Sequence, residues 1–151
     1  MKIAVFVKQV PDSAAKITLD GEKANWGDAP LVINPWDEYA VEAALQLAEA
    51  QNGDVVALSI GTESTQEALK HALAMGCSEA ILISDEALSA ADAGVAAQVM
   101  AAAVNKLGDV DLAIFGKQAI DSDTGLAPAM TARVLDWPAL TLVSKVVELN
   151  A

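Results

Sequence analysis

The sequence predicts an α/β fold built on a doubly wound parallel sheet, and three observations lead there. Short apolar runs alternate with longer segments of helical spacing through most of the chain. The runs are continuous and rich in β-branched residues, as strands covered on both faces are. Glycine, Asn-Gly or proline marks most of the junctions. A β(αβ) repeat of this kind forms one parallel sheet with right-handed crossovers, a Rossmann-like arrangement.

Lys2-Ile3-Ala4-Val5-Phe6-Val7-Lys8 is the first strand, and Pro11-Asp12 ends it. Residues 12–33 form a polar excursion in which Asp20-Gly21 signals a small hairpin after Ile17-Thr18-Leu19. Trp26 within it reads as an anchor of the loop on the body, with a lid or a partner contact as the alternative. Asn34-Pro35-Trp36-Asp37 opens the first helix. Asn34 suits the N-cap, Pro35 the first turn, and Asp37 and Glu38 the positive end of the dipole. Val41, Ala44, Leu45 and Ala48 recur at helical spacing, and Asn52-Gly53 stops the helix.

Val55-Val56-Ala57-Leu58-Ser59-Ile60 is the second core strand. After Gly61, Ser64-Thr65-Gln66-Glu67 reads as a capping box for a helix running through Ala68, Leu69, Ala72 and Leu73 to Gly76. Ala80-Ile81-Leu82-Ile83 is the third strand, and an alanine-rich helix from Ala91 to Leu107 ends at Gly108. Val110-Asp111-Leu112-Ala113-Ile114-Phe115 is the fourth strand. Leu126, Met130, Thr131, Val134 and Leu135 mark a last helix, broken by Trp137-Pro138. Leu140-Thr141-Leu142-Val143 and Lys145-Val146-Val147-Glu148-Leu149 are two further strand-like runs. Strands near 2–8, 54–60, 80–84 and 111–115 are expected in one parallel sheet with helices on both faces.

Composition narrows the function. The 151 residues fit one domain, 1–151, and a chain of this size buries roughly 70% of its unfolded surface without staples. The net charge of −12 disfavours nucleic acid and anionic membranes and is compatible with a basic protein partner. The single cysteine, Cys77, allows no internal disulfide and suits a reducing, cytoplasmic setting. No apolar run approaches the ~20 residues of a membrane span. Met1-Lys2 leads straight into a strand, so no signal peptide is expected. Catalytic patterns are scarce. His71 reads as an ordinary mid-helix histidine, and Cys77 as a small buried residue with no histidine nearby in sequence. There is no Gly-x-Ser-x-Gly and no metal-spaced Cys/His set. Asp121 and Asp123 offer two ligands for Mg²⁺ beside a nucleotide but no third. No side-chain catalysis is expected, hence not an enzyme.

Residues 116–125, Gly-Lys-Gln-Ala-Ile-Asp-Ser-Asp-Thr-Gly, join the fourth strand to the last helix. Open parallel sheets bind ligands at such loops, beyond the carboxyl ends of their strands. This one offers backbone N–H groups, the hydroxyls of Ser122 and Thr124, the amide of Gln118 and the cation of Lys117. Donors at a helix start suit a phosphate. The spacing matches neither the nucleotide-triphosphate loop nor the dinucleotide fingerprint. The alternative is a turn in which Asp121 or Thr124 only caps the helix. The helix starts at Asn34 and near Thr124 are expected on one sheet edge, with Asp121 and Asp123 turned away from any phosphate.

Several blocks, in order, resemble the beta subunit of electron-transfer flavoprotein. They are residues 2–12, Ile33-Asn34-Pro35-Trp36-Asp37-Glu38-Tyr39-Ala40-Val41-Glu42-Ala43-Ala44, Ala72-Leu73-Ala74-Met75-Gly76 and Gly116-Lys117-Gln118-Ala119-Ile120-Asp121. The resemblance covers essentially the whole chain and implies an adenine-nucleotide alpha-hydrolase-like sheet. It also implies an electron-carrier subunit that pairs as a heterodimer with an alpha subunit carrying most of the FAD site. The family's beta subunit holds a buried AMP, or a second FAD at the same place in bifurcating members, and serves acyl-CoA or other dehydrogenases through the complex. Carried over, the nucleotide contacts fall on Phe6, Val7, Asn34, Pro35, Trp36, Asp37, Ile60, Gly116, Asp121, Ser122, Asp123, Thr124 and Gly125. The AMP type's Asn-Gln-Thr-Gly is replaced here by Thr124-Gly125-Leu126-Ala127-Pro128, and the Asp-Ser-Asp-Thr part leans toward the FAD-holding type. Family members also continue past this length, so the resemblance is to their N-terminal domain, without the C-terminal segment that meets partners. The rival reading is a stand-alone nucleotide-binding module of the universal-stress-protein kind.

Overall fold

A computed structural model describes residues 1–89 and 91–149. Four parallel strands form the central sheet: β1 (Lys2–Phe6), β6 (Asp54–Ile60), β7 (Glu79–Ile83) and β8 (Leu112–Phe115), in the spatial order β7-β6-β1-β8. The chain leaves β1 through helix α1 (Pro35–Gln51) to β6, and then through α2 (Gln66–Met75) to β7. From β7 it returns across the sheet, through α3 (Ala93–Leu107), to place β8 on the free side of β1. Helix α4 (Ala127–Leu135) follows. The winding direction therefore reverses between β1 and β8.

The continuous apolar character of the strands follows from burial on both faces. Ile3, Val5, Val55 and Ala57 pack with Val41 and Ala44 of α1 and Leu69 of α2. Their alternates Ala4, Phe6, Val56 and Leu58 pack with Val104 of α3, with Leu135 and Trp137 alongside. Helices thus cover both faces, as the pattern predicts.

The excursion between β1 and α1 contains two antiparallel pairs. Strand β2 (Gln9–Pro11) pairs with β5 (Leu31–Ile33), and β3 (Thr18–Asp20) pairs with β4 (Lys23–Asn25) in the expected small hairpin. Gly21 takes a φ of 62° at its turn. Trp26 is half-buried.

Three local expectations fail. Ser64 to Glu67 form no capping box: a 3₁₀ turn over Glu63–Thr65 precedes α2, and Thr65 makes no side-chain cap bond. Thr65 is buried against Gly61, where a Cβ would sit 2.2 Å from its Oγ1, so tertiary packing sets this turn. Helix α4 starts at Ala127 with Leu126 at its N-cap position, so neither Asp121 nor Thr124 caps it. Residues 138–149 form no strand among the described residues. Leu142 takes a φ of 55°, which interrupts the first of the two apolar runs, and both remain exposed at Leu140, Leu142 and Val147.

Candidate functional site

The reversal between β1 and β8 opens the crevice at which an open parallel sheet takes ligands. Residues 116–125, the start of α1 and the residues just beyond β1 meet there. Gly116 is the first residue beyond β8, and its backbone lies on the first turn of α1. A Cβ on it would stand 2.1 Å from Asp37 Oδ1 and 2.8 Å from the Trp36 carbonyl carbon. Only glycine permits that approach.

Asp37 joins three chain segments. Its Oδ2 accepts the Lys8 N–H at 2.8 Å, and the Gly116 backbone also hydrogen-bonds to it. Desolvation at this buried position pushes its pKa up to about 6, against the opposing pull of those hydrogen bonds and of the Lys8 charge. Asn34 holds the N-cap position of α1 but makes no side-chain cap bond. Its Nδ2 donates to Gln118 O at 2.9 Å, and its Oδ1 accepts the Ile120 N–H at 3.2 Å. The side chain is fully buried, with both ends of its amide engaged, so it fixes the 116–125 loop.

The distal half of the loop is turned outward. Ala119 O accepts the N–H groups of Ser122 and Asp123 at 3.3 and 2.8 Å. Asp123, at φ 56°, takes a hydrogen bond from the Gln118 amide. Ser122 and Thr124 are exposed. Gly125 has a φ of 58°, and a Cβ there would meet Lys117 O at 3.3 Å. A valine at this position would strain the loop itself. Asp121 pairs with Lys8, both of its oxygens lying 2.8 Å from Nζ.

The remaining candidates are placed around this center. Phe6 is buried and stacks on Phe115 at 4.7 Å between ring centroids, on the α3 and α4 face of the sheet. Val7 faces the α1 and α2 layer, and Ser59 Oγ donates to its carbonyl. Ile60 ends β6, one strand away on the same sheet edge. Pro35 is half-buried, and Trp36 is exposed, with the Lys117 ammonium 5.2 Å from its ring centroid. Sequence reading missed Lys8. A cation directly after an apolar strand, in a chain this acidic, was the available signal.

His71 lies 3.1 Å from Glu38, on the rim of a groove between β5 and α2. Burial pushes the Cys77 thiol up, which suits a packing residue. Among the described residues, no group of three or more His, Cys, Asp or Glu side chains could hold a metal ion. No helix among them is long and apolar enough to cross a membrane.

The donors fit a phosphate ester. The Lys8 ammonium lies beside the crevice, paired with Asp121, and the hydroxyls of Ser122 and Thr124 are exposed on the same loop, while the buried side-chain polar atoms among the described residues are already satisfied.

Comparison with known proteins bears on the same residues. The family model described as "Electron transfer flavoprotein domain" matches residues 27–150. The chain is 37% identical to the electron transfer flavoprotein subunit beta of Thermoanaerobacterium thermosaccharolyticum, covering 97% of this chain and 56% of that one. It is 36% identical to the Bacillus subtilis subunit of the same name, over 99% of this chain and 58% of the relative. It is also 36% identical to the caffeyl-CoA reductase-Etf complex subunit CarD of Acetobacterium woodii, over 97% and 56%. The chain spans a little over half the length of these relatives.

Proposed function

Because this chain belongs to the electron transfer flavoprotein domain family, we propose that it serves as a beta-type subunit of an electron carrier. In this reading it binds AMP, or a second FAD, structurally at the β1/β8 crevice. It pairs with an FAD-carrying alpha subunit, and the complex carries electrons from acyl-CoA or other dehydrogenases. The bound flavin supplies the redox chemistry; the chain's own residues bind and position.

The observation that carries this reading is a convergence. The two stretches that wall the crevice, Asn34 to Asp37 and residues 116–125, both fall within the family match at residues 27–150. Lys8, Ser122 and Thr124 would face the nucleotide's phosphate and ribose. Asn34 and Asp37 would hold the crevice in shape from below. Trp36 and residues 122–125 would flank its mouth.

Mass spectrometry of small molecules released from the purified chain, alone and with a candidate alpha subunit, tests the proposal. AMP or FAD should be recovered, and calorimetric titration should return that ligand to stripped protein. Recovery of neither, with no binding of AMP, ADP or FAD, would overturn it.

A further inference from the structure

We propose that the Lys8–Asp121 pair is a latch across the crevice, which a phosphate monoester opens by taking Asp121's place on the Lys8 ammonium. The inference rests on the nucleotide-binding reading and adds a residue and a selection rule to it. Lys8 and Asp121 lie on opposite sides of the reversal point, one just beyond β1 and the other in the loop after β8. Their contact bridges the two loops at the point where an open parallel sheet takes its ligands.

The two halves of Lys8 behave differently. Its backbone is fixed, with the N–H donating to Asp37 Oδ2 at 2.8 Å and the carbonyl accepting from Asn34 N at 2.8 Å. Its side chain is a flexible four-carbon stem, 46% exposed, that ends at Asp121. The ammonium can change partners while the strand end stays in place. An ion pair this exposed is held weakly, because water screens it and two side chains lose freedom to make it. Asp121 has water within reach when released, since its side chain is 22% exposed.

Charge makes the exchange selective. Asp37 and Asp121 both lie at the crevice in a chain of net charge −12, so an incoming dianion meets repulsion. Lys117 is directed over the Trp36 ring, which leaves Lys8 as the cation positioned across the opening. Swapping carboxylate for phosphate keeps the ammonium paired throughout, so the incoming charge is met by the one cation across the opening as Asp121 moves out to water. A neutral nucleoside gains nothing from that swap. The Lys8 ammonium therefore favours AMP over adenosine, and Asp121, as its competitor, limits that preference.

The test is calorimetric titration of the full chain with adenosine and with AMP, for the parent, K8M, K8R, D121N and the K8M/D121N double variant. Thermal melts of each variant accompany the titrations. The AMP-over-adenosine affinity ratio should fall about tenfold in K8M, as for loss of a charge-assisted contact, and should be largely restored in K8R. It should rise several-fold in D121N, where the competitor is gone. The double variant should exceed K8M only by the loss of Asp121's repulsion and stay well below D121N, because without the ammonium there is no pair to exchange. Binding with an unchanged ratio in K8M and D121N would overturn the latch and leave the nucleotide reading standing. Equal loss of adenosine and AMP in K8M, with a lowered melt, would make Lys8 structural and also overturn it. Failure of both ligands with every protein would sink the nucleotide reading and the latch together.

Discussion

Residues 116–125 and residues 138–149 are both irregular, and they are irregular for opposite reasons. The first stretch has turn-forming residues at Gly116 and from Asp121 to Gly125, yet distant polar groups fix its proximal half. Asn34 binds it at Gln118 and Ile120, and Asp37 binds it at Gly116. The second has the composition of a strand, yet Leu140 and Val147 are 89% and 87% exposed. Gln51 Nε2 donates to Leu149 O near its end. Order in this molecule follows from having a partner rather than from local propensity. Strand propensity in particular measures packing against neighbouring strands, and the second stretch pairs with no strand among the described residues.

The contrast breaks most violently at Gly116. Replacing Gly116 with valine would drive a Cβ into Asp37 and the first turn of α1. Neither the helix backbone nor the strand end can give way. Chemical denaturation should show a loss of more than about 4 kcal/mol, or no folded protein at all. Asn34→Ala comes next. It leaves Gln118 O and Ile120 N–H without their partner in a buried place, at about 1–3 kcal/mol each. A total near 3–4 kcal/mol is expected, with faster amide exchange across 117–121. A loss below 1 kcal/mol would mean that the loop is held by something else.

Those two sites also show what was legible in the sequence. The four core strands could be read because burial on both faces writes itself as an unbroken apolar run. Helix α1 could be read from Pro35, Asp37 and the apolar spacing of Val41, Ala44 and Ala48. Asn34 was legible as a helix start but not as a clamp, because its partners lie 84 and 86 residues away. Local capping rules see only the neighbouring turn. The same blindness covers Thr65, whose packing on Gly61 replaces the box that Ser64 and Glu67 suggest. The crevice was legible as a set of loops on one edge. The cation across it was not, since Lys8 gains its meaning from Asp121 in the fold. The terminal runs were misread because β-branched residues predict a strand only where another strand is available.

Asp37 offers a pH-dependent way to sharpen the comparison. Its folded pKa is about 6, above the ordinary 3.8. The folded state therefore holds the proton more tightly than the unfolded chain does. The stability this contributes is fully present below pH 3.8 and is lost as pH rises through about 6. The difference of about two pH units corresponds to at most about 3 kcal/mol. Other carboxylates titrate in the same range, so the measurement is a difference. Urea midpoints between pH 4 and 7 should decline more steeply in the parent than in Asp37→Asn. Parallel pH profiles for the two proteins would show that the buried carboxylate is ionised in both states.

The smallest effects belong to residues 138–149, and their smallness is the sharpest part of the contrast. Leu140→Ser and Val147→Ser remove apolar side chains that folding barely withdraws from water. Burial is what converts apolar area into stability, at about 25 cal/mol per Å². Each substitution should therefore change stability by no more than about 0.5 kcal/mol. Hydrogen exchange supplies the matching local readout. The amides of Leu140 and Leu142 should exchange near the rate of an unstructured peptide. Those of Lys8 and Ile120, bonded to Asp37 and Asn34, should be protected. Protection of Leu140 and Leu142 together with a cost above 1 kcal/mol for Val147→Ser would show that these runs do find a strand partner in solution. The difference between the two stretches would then be one of degree, and the apolar composition of the second would be the better guide to its structure.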